Sequence, residues 1–441
     1  MRIMKIIFSI AVIAFALSAN SIVYAESDGK SSVEKSISID PSKTLAITAR
    51  NSDVEILVWD KNELKISGEI SYGEGSNEDI NKLVNAFKNI DVKTSNNSTD
   101  LNLNHFIKSS TINGKKHTIV LTTGDEINIK DNKVNTSYKV WIPQNINLNV
   151  KQNYGSITTA DMNGNLNLTL FSTKFNIGNY GSSGQFDMKY CKGSMANGGN
   201  TKLLLFSSEF ASINQLKDVS IESKYSKFNV ANAKNVTIMS FSDKFLFEQA
   251  DNITFNAKYS ELRTNSNIKS STLDIYSSKV FAKDFEEIKF SAKYSELNAK
   301  DINDLTIHSS FSNKFNIGTV SSLQCTESKY DQINIAKLTE KANIKKAYST
   351  KIKIASASES LKHFGGNFEY GSVYIKLEQP NSLNLIYRSK YGKVNVPKNW
   401  NFSTKTNNKK NNSTIEFEGS TADNAKTTIE FTSVSTNVTI E

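Results

Sequence analysis

The chain has 441 residues, 38% of them hydrophobic, and a formal charge of +9, with a mean hydropathy of −0.41. That length admits two or three ordinary domains or one elongated array, and the composition excludes a polytopic helical membrane protein. The basic excess is mild and no recognition-helix or zinc-finger pattern accompanies it, which argues against a nucleic-acid partner.

Residues 1–25 read as an export signal. Arg2 and Lys5 form its charged segment, Ile6 to Leu17 its apolar core, and Val23-Tyr24-Ala25 supplies the small residue before a cleavage site. The apolar core is too short for a membrane span, which needs roughly 20 residues. No Cys follows the cleavage site to carry a lipid. The expectation is an exported chain, periplasmic or at the cell surface, without a membrane span.

Residues 26–148 read as an N-terminal β region. Ser36-Ile-Ser-Ile39, Leu45-Ala-Ile47, Val54-Glu-Ile-Leu-Val58 and Leu64-Lys-Ile66 alternate apolar and polar residues. Asp40-Pro41, Asn51 to Asp53 and Asp60 to Asn62 supply turn chemistry between them. One segment departs from this: Ile80, Leu83, Val84, Phe87 and Ile90 recur at helical spacing behind a capping pair, Ser76 and Asp79. The spacing predicts an amphipathic helix over 77–90 that covers apolar surface or a sheet edge.

Residues 149–397 are organised by one phrase in two spellings. Phe171-Ser-Thr-Lys-Phe175, Phe241-Ser-Asp-Lys-Phe245 and Phe311-Ser-Asn-Lys-Phe315 give the first, which starts at 171, 206, 241, 276, 311 and 348. Lys224-Tyr-Ser-Lys-Phe228, Lys258-Tyr-Ser-Glu-Leu262 and Lys293-Tyr-Ser-Glu-Leu297 give the second, with aromatics at 154, 190, 225, 259, 294 and 330. Each spelling recurs about every 35 residues, so the unit is about half that. This is too short for a helix pair and its apolar spacing is two, which suits one coil of a parallel β-solenoid. A β-propeller, whose blades need 40 or more residues, is the second choice. Aligned on the aromatic, the next residue is Ser or Gly in nearly every copy, which predicts a tight corner. On that alignment the aromatic and the apolar residue after the corner both point inward.

Residues 398–441 read as a C-terminal β cap, with a polar turn from Lys405 to Ser413 and closing strands near Thr414–Glu418, Thr428–Phe431 and Val438–Ile440. Cys191 and Cys325 lie eight coils apart, roughly 38 Å at about 4.8 Å per coil, so two free thiols are expected where a disulfide needs Cα atoms within about 7 Å.

Asn51-Ser-Asp-Val-Glu-Ile with Val58-Trp59-Asp60, then Tyr138-Lys-Val-Trp-Ile-Pro143-Gln-Asn, and Leu148-Asn-Val-Lys-Gln-Asn-Tyr154-Gly-Ser-Ile157 resemble the adhesin domains of β-strand-repeat envelope proteins, related to the "head GIN" adhesin-like group common in Bacteroidetes. The resemblance covers most of residues 44 to 400. It implies a right-handed parallel β-helix, an exported location and an adhesive or scaffolding role, and supplies no catalytic residues.

Chemistry is sparse. His105, His117, His308 and His363 share no repeat position and no metal-ligand spacing, so neither metal nor cofactor is expected. A glycan-cleaving enzyme would need paired carboxylates or a calcium cluster on adjacent coils, for which Asp284, Glu286 and Glu287 with Asp301 and Asp304 are the candidates. The candidate ligand face is a lysine series, Lys189, Lys224, Lys258, Lys293 and Lys329, recurring at about 9.6 Å in alternate coils. Lys174, Lys244, Lys279, Lys314 and Lys351 form a second series. Such rows suit an acidic glycan, the phosphates of a lipopolysaccharide, or a protein partner at the cell envelope.

Overall fold

The computed structural model describes residues 20–22, 29–130, 134–378, 382–411 and 413–441. Among them the chain is 73% β with one helix, and about 13 parallel coils of about 18 residues stack as a β-solenoid. Parallel pairing between successive half-repeats rules out propeller blades. The export-signal segment lies outside the described residues except for a short backbone strand, Asn20–Ile22, antiparallel to Lys30–Ser38. No helix among the described residues is long and apolar enough to cross a membrane. Two compact units are present, Met1–Gly164 and Asn165–Glu441.

In the first unit the strand Thr44–Trp59 pairs in parallel with Asn147–Thr159, placing Leu45 beside Leu148 and Val54 beside Ile157. On its other edge it pairs in parallel with Val134–Pro143 and Ser98–Asn102. Beyond them the pairing turns antiparallel, from Val134–Pro143 to Glu63–Tyr72 and on to Lys30–Ser38. A parallel stack must end in an open edge, and this meander covers it. The expected helix is present as Asn77–Lys88, two residues shorter than the periodicity suggests because Asn89 caps it. Ser76 Oγ accepts the Asp79 amide at 3.1 Å, and Leu83, Val84 and Phe87 are its buried face. Phe87 sits 6.1 Å from Phe106 and 6.0 Å from Tyr138, ring centre to ring centre. The helix therefore covers apolar surface, as its pattern requires.

In the second unit each long strand repeats the register of the one before. Phe210, Phe228, Phe245, Leu262 and Val280 stand in one interior column, with Phe228 and Phe245 stacked at 4.7 Å. Gly193 occupies the same column between Phe175 and Phe210. A side chain there would meet the Phe175 carbonyl oxygen at 1.9 Å, so only glycine fits.

The register corrects the alignment read from the sequence. Lys224 lies beside Phe241, Phe241 beside Lys258, Lys258 beside Tyr276, and Tyr276 beside Lys293. The two spellings are therefore offset by one residue: Phe-Ser-Asp-Lys-Phe stacks on Lys-Tyr-Ser-Lys-Phe, aromatic on lysine. Backbone conformation sets this offset. Tyr225, Tyr259 and Tyr294 in one spelling, and Ser242, Ser277 and Ser312 in the other, share a left-handed conformation with φ between 46° and 63°. Such a residue interrupts the strand's alternation, so the residue before it and the left-handed residue itself both face out while the next one turns in. The expected inward aromatic is accordingly wrong. Tyr190, Tyr225, Tyr259, Tyr294 and Tyr330 are 50–53% exposed.

The C-terminal coil breaks chain order. The strand Thr427–Val434 lies between His363–Glu369 and Leu383–Lys390, parallel to both. Asn437–Ile440 likewise lies between Ser372–Leu377 and Lys393–Asn395. The wide spacing between Tyr370 and Tyr391 leaves room for a coil that comes from the end of the chain, with Ser435 (φ 47°) at the left-handed position. Outside this stack, Thr414–Ser420 pairs antiparallel to Leu383–Lys390, and Ser403–Asn411 pairs antiparallel to Thr414–Ser420. Residues 405–411, expected as a polar turn, are therefore strand.

Candidate ligand-binding face

The corner of each coil is built by the residue after the left-handed position. Its side chain is buried and its oxygen accepts the equivalent backbone amide of the preceding coil. Ser208 N–H donates to Ser226 Oγ (3.1 Å), Ser226 N–H to Asp243 Oδ1 (2.6 Å), Asp243 N–H to Ser260 Oγ (3.1 Å), Ser260 N–H to Ser278 Oγ (3.0 Å) and Ser278 N–H to Ser295 Oγ (3.1 Å). Asn313 and Asp331 continue the row. These amides turn away from the sheet ladder, and without the side-chain oxygen each would be an unpaired buried donor. Two of the corner residues are carboxylates. Burial raises the Asp243 and Asp331 pKa values above the ordinary aspartate range, against hydrogen bonds from serines that lower them. Asp243 accepts from Ser240 (2.7 Å) and Ser223 (2.9 Å). Asp331 accepts from Ser328 (2.6 Å) and from Ser310.

Outside the corner, the rings form a continuous row. From Phe171 through Tyr190, Phe206, Tyr225, Phe241, Tyr259, Tyr276, Tyr294, Phe311, Tyr330 and Tyr348 to Tyr370, neighbouring ring centres are 5.4–5.8 Å apart and packed edge to face. This geometry matches positive ring edges to negative faces, each pair contributing about 0.5–1.5 kcal/mol when well buried. Sequence reasoning found every one of these rings and placed them on the wrong side of the sheet. The signal that would have placed them is the lysine directly before Tyr190, Tyr225, Tyr259, Tyr294 and Tyr330: in register it shares a face with the ring of the neighbouring coil.

The lysine series shares this surface. Lys189, Lys224, Lys258 and Lys293 are exposed and stack in one column with Phe206, Phe241, Tyr276 and Phe311. Among the described residues none of these four forms an ion pair, whereas Lys329 pairs with Glu327 at 2.9 Å. The second series lies three residues further along each coil, with Lys227, Lys244, Glu261, Lys279, Glu296 and Lys314 in one column. There Glu209 holds Lys192 at 2.6 Å and Glu296 lies 4.0 Å from Lys279, so that row is partly neutralised. Shallow grooves flank the rings. One, about 490 Å³, is lined by Lys258, Tyr276, Lys293 and Asp274 among others. The other, about 350 Å³, is lined by Tyr294, Tyr330, Ser312, Lys314 and Glu296 among others.

The carboxylate candidates do meet. Asp284 lies beside Asp301 and Glu287 beside Asp304 in adjacent coils. Asp284 Oδ1 is buried without a hydrogen-bond partner, while three of the others meet surface groups: Glu286 accepts from Asn267 (3.0 Å), Glu287 pairs with Lys289 (3.1 Å) and Asp301 with Lys300 (3.4 Å). Among the described residues no three His, Cys, Asp or Glu side chains converge as metal ligands. His117, one of the four histidines without a repeat position, is buried with both ring nitrogens unpartnered, and burial lowers its pKa. Cys191 and Cys325 are free and buried, as their separation in the repeat predicts. Cys191 stands in the corner column and packs as a small residue, its amide donating to Ser208 Oγ at 3.0 Å.

No family model matches the sequence, and no curated protein matches it. Solved structures similar to it include these two. One is a provisionally described cell adhesion protein from Clostridium sporogenes ATCC 15579, 10% identical over 92% of this chain and 97% of that one, with a TM-score of 0.17. The other is a provisionally described lipid binding protein from Parabacteroides distasonis ATCC 8503, 9% identical over 94% of this chain and 97% of that one, with a TM-score of 0.18. Their names fit the adhesin-like resemblance only loosely, and scores this low carry no argument about this chain.

Proposed function

We propose that this chain is an exported, non-catalytic binding protein of adhesin-like or scaffolding type that holds an acidic glycan along its lysine-bearing face. The observation that carries the reading is the row Lys189, Lys224, Lys258 and Lys293. These side chains are exposed, make no ion pair among the described residues, and recur with every second coil. A row of uncompensated cations at constant spacing raises the local concentration of a regularly charged polyanion and fixes its direction. The test is retention on an immobilised acidic polysaccharide over a salt gradient. Wild type is expected to elute with rising salt, and Lys224→Gln/Lys258→Gln/Lys293→Gln to elute near the void. Equal retention of both proteins removes the reading.

A second reading, a glycan-cleaving enzyme, draws on Asp284 beside Asp301 and Glu287 beside Asp304. Asp284→Asn/Glu286→Gln then abolishes a measurable cleavage of acidic polysaccharide, whereas a binding protein is indifferent to it.

A further inference from the structure

The row of rings stands outside the packed interior of the solenoid. Interior aromatics such as Phe228, Phe245 and Phe255 already fill the solenoid and are almost wholly buried, while the outer rings stay half open to water. Their chemistry is ordered too. At the left-handed position, the more exposed of the two, every ring from Tyr190 to Tyr370 is a tyrosine, with a polar hydroxyl at its tip. Between successive tyrosines the intervening coil carries Ser242, Ser277, Ser312 or Ser349. The short side chain leaves an open slot, such as the groove between Tyr294 and Tyr330 above Ser312. Slots on one flank and unpaired lysines on the other share one period of about 9.6 Å, close to the length of a disaccharide in an extended polysaccharide.

We propose that the ring row is a stacking track for a linear acidic polysaccharide lying along the solenoid axis, with one uronate-bearing disaccharide for every two coils. Pyranose C–H faces, which carry partial positive charge, rest on Tyr225, Tyr259, Tyr294 and Tyr330, and the uronate carboxylates meet Lys224, Lys258 and Lys293. Glu222 and Asp274 stand two residues before Lys224 and Tyr276 on the same strands, in a column otherwise neutral at Met239, Asn256 and Ser291, so the cations available to an anion are those beside the rings. This charge complementarity favours a polyanion over a second copy of the basic chain. The rings favour a sugar polymer over polyphosphate, which has no apolar face. The inference rests on the acidic-glycan reading above and adds the track.

Titration calorimetry with hyaluronate fragments of graded length, polygalacturonate, alginate and inorganic polyphosphate tests it. Serine is the natural residue of the intervening coils at this backbone conformation, so Tyr259→Ser/Tyr294→Ser/Tyr330→Ser is built to fold, and circular dichroism checks that it does. Hyaluronate, with one uronate per disaccharide, is expected to bind tightest and to gain affinity with each added disaccharide. The triple serine variant is expected to lose about tenfold or more for the polysaccharides and nothing for polyphosphate. Tyr259→Phe/Tyr294→Phe/Tyr330→Phe keeps the rings and is expected to bind as wild type. Should the serine variant bind hyaluronate like wild type while the lysine variant fails, the track is wrong and the acidic-glycan reading survives. Should no polysaccharide bind, both are wrong. A wild-type dimer in solution that the serine variant abolishes assigns the rings to self-association and overturns the track.

Discussion

Ser260→Ala and Ser277→Ala distinguish the two alignments of the repeat. Both serines follow an aromatic, so an alignment on the aromatic makes them equivalent. In the structure Ser260 is 3% exposed; its Oγ accepts the Asp243 amide at 3.1 Å and donates to the Lys258 carbonyl at 2.9 Å. Ser277 is half-buried with φ 46° and its hydroxyl makes no hydrogen bond among the described residues. Removing the Ser260 hydroxyl leaves a buried amide without an acceptor, which costs about 1–3 kcal/mol. A methyl at 277 replaces a hydroxyl with nothing to lose, within about 0.5 kcal/mol. Because a solenoid unfolds by coils, the effect is best read locally. Hydrogen exchange should show the Asp243 amide exchanging roughly 5- to 150-fold faster in Ser260→Ala and unchanged in Ser277→Ala. Ser260→Thr should stay near wild type, since Thr350 and Thr436 already serve as corner residues. Unchanged exchange at Asp243 in Ser260→Ala, or equal losses at both sites, would refute the corner mechanism.

Phe245→Ala opens a cavity beside Phe228 and Phe255 and should destabilise by about 3–5 kcal/mol, read as an earlier guanidinium midpoint; a loss below about 1 kcal/mol contradicts the interior column. Asp331 holds a raised pKa in the folded chain, so the native state binds its proton more tightly than the unfolded chain does. Its stabilising contribution is present below the unfolded value of about 3.9 and is lost as pH rises through the folded one. Asp331→Asn should therefore gain in melting temperature relative to wild type between pH 4 and pH 7, and a relative loss over that range contradicts the assignment. Burial raises the Cys191 thiol and pushes Cys325 up to about 12. Iodoacetamide at pH 8 should then leave both unmodified in the folded protein and label both after unfolding without reductant.

The period, the β class, the helix and the separation of the cysteines were legible because each rests on spacing within one stretch of chain. The exposed rings were not, because facing is decided at one residue whose φ is positive, and Tyr225 gives no outward sign of that conformation where Gly155 (φ 88°) would. Local reading could have gone further at two places. Ser240-Phe-Ser-Asp243 and Ser328-Lys-Tyr-Asp331 share a serine three residues before the aspartate, and these serines hold the two buried carboxylates. Val434-Ser-Thr-Asn-Val438 is a copy of the repeat phrase with valine in place of the aromatics, hidden by that replacement. Asp284 and Asp301 were legible as neighbours one coil apart, but not that Lys300 holds Asp301 while Asp284 Oδ1 is buried without a partner.

The inserted coil Thr427–Ile440 makes two earlier coils of the array depend on residues far downstream of them. A solenoid whose spatial order follows its sequence can solidify coil by coil as the chain emerges, N-terminus first. Here Leu383–Lys390 has no neighbour to pair with on one side until the final segment arrives, and His363–Glu369 keeps a bare edge for as long. A chain cut between Glu378 and Thr427 therefore presents an unpaired strand edge of the sort that recruits other chains and proteases. Closure of the sheet at this point therefore waits on a strand about 40 residues downstream in the chain, and spatial order and chain order part company there.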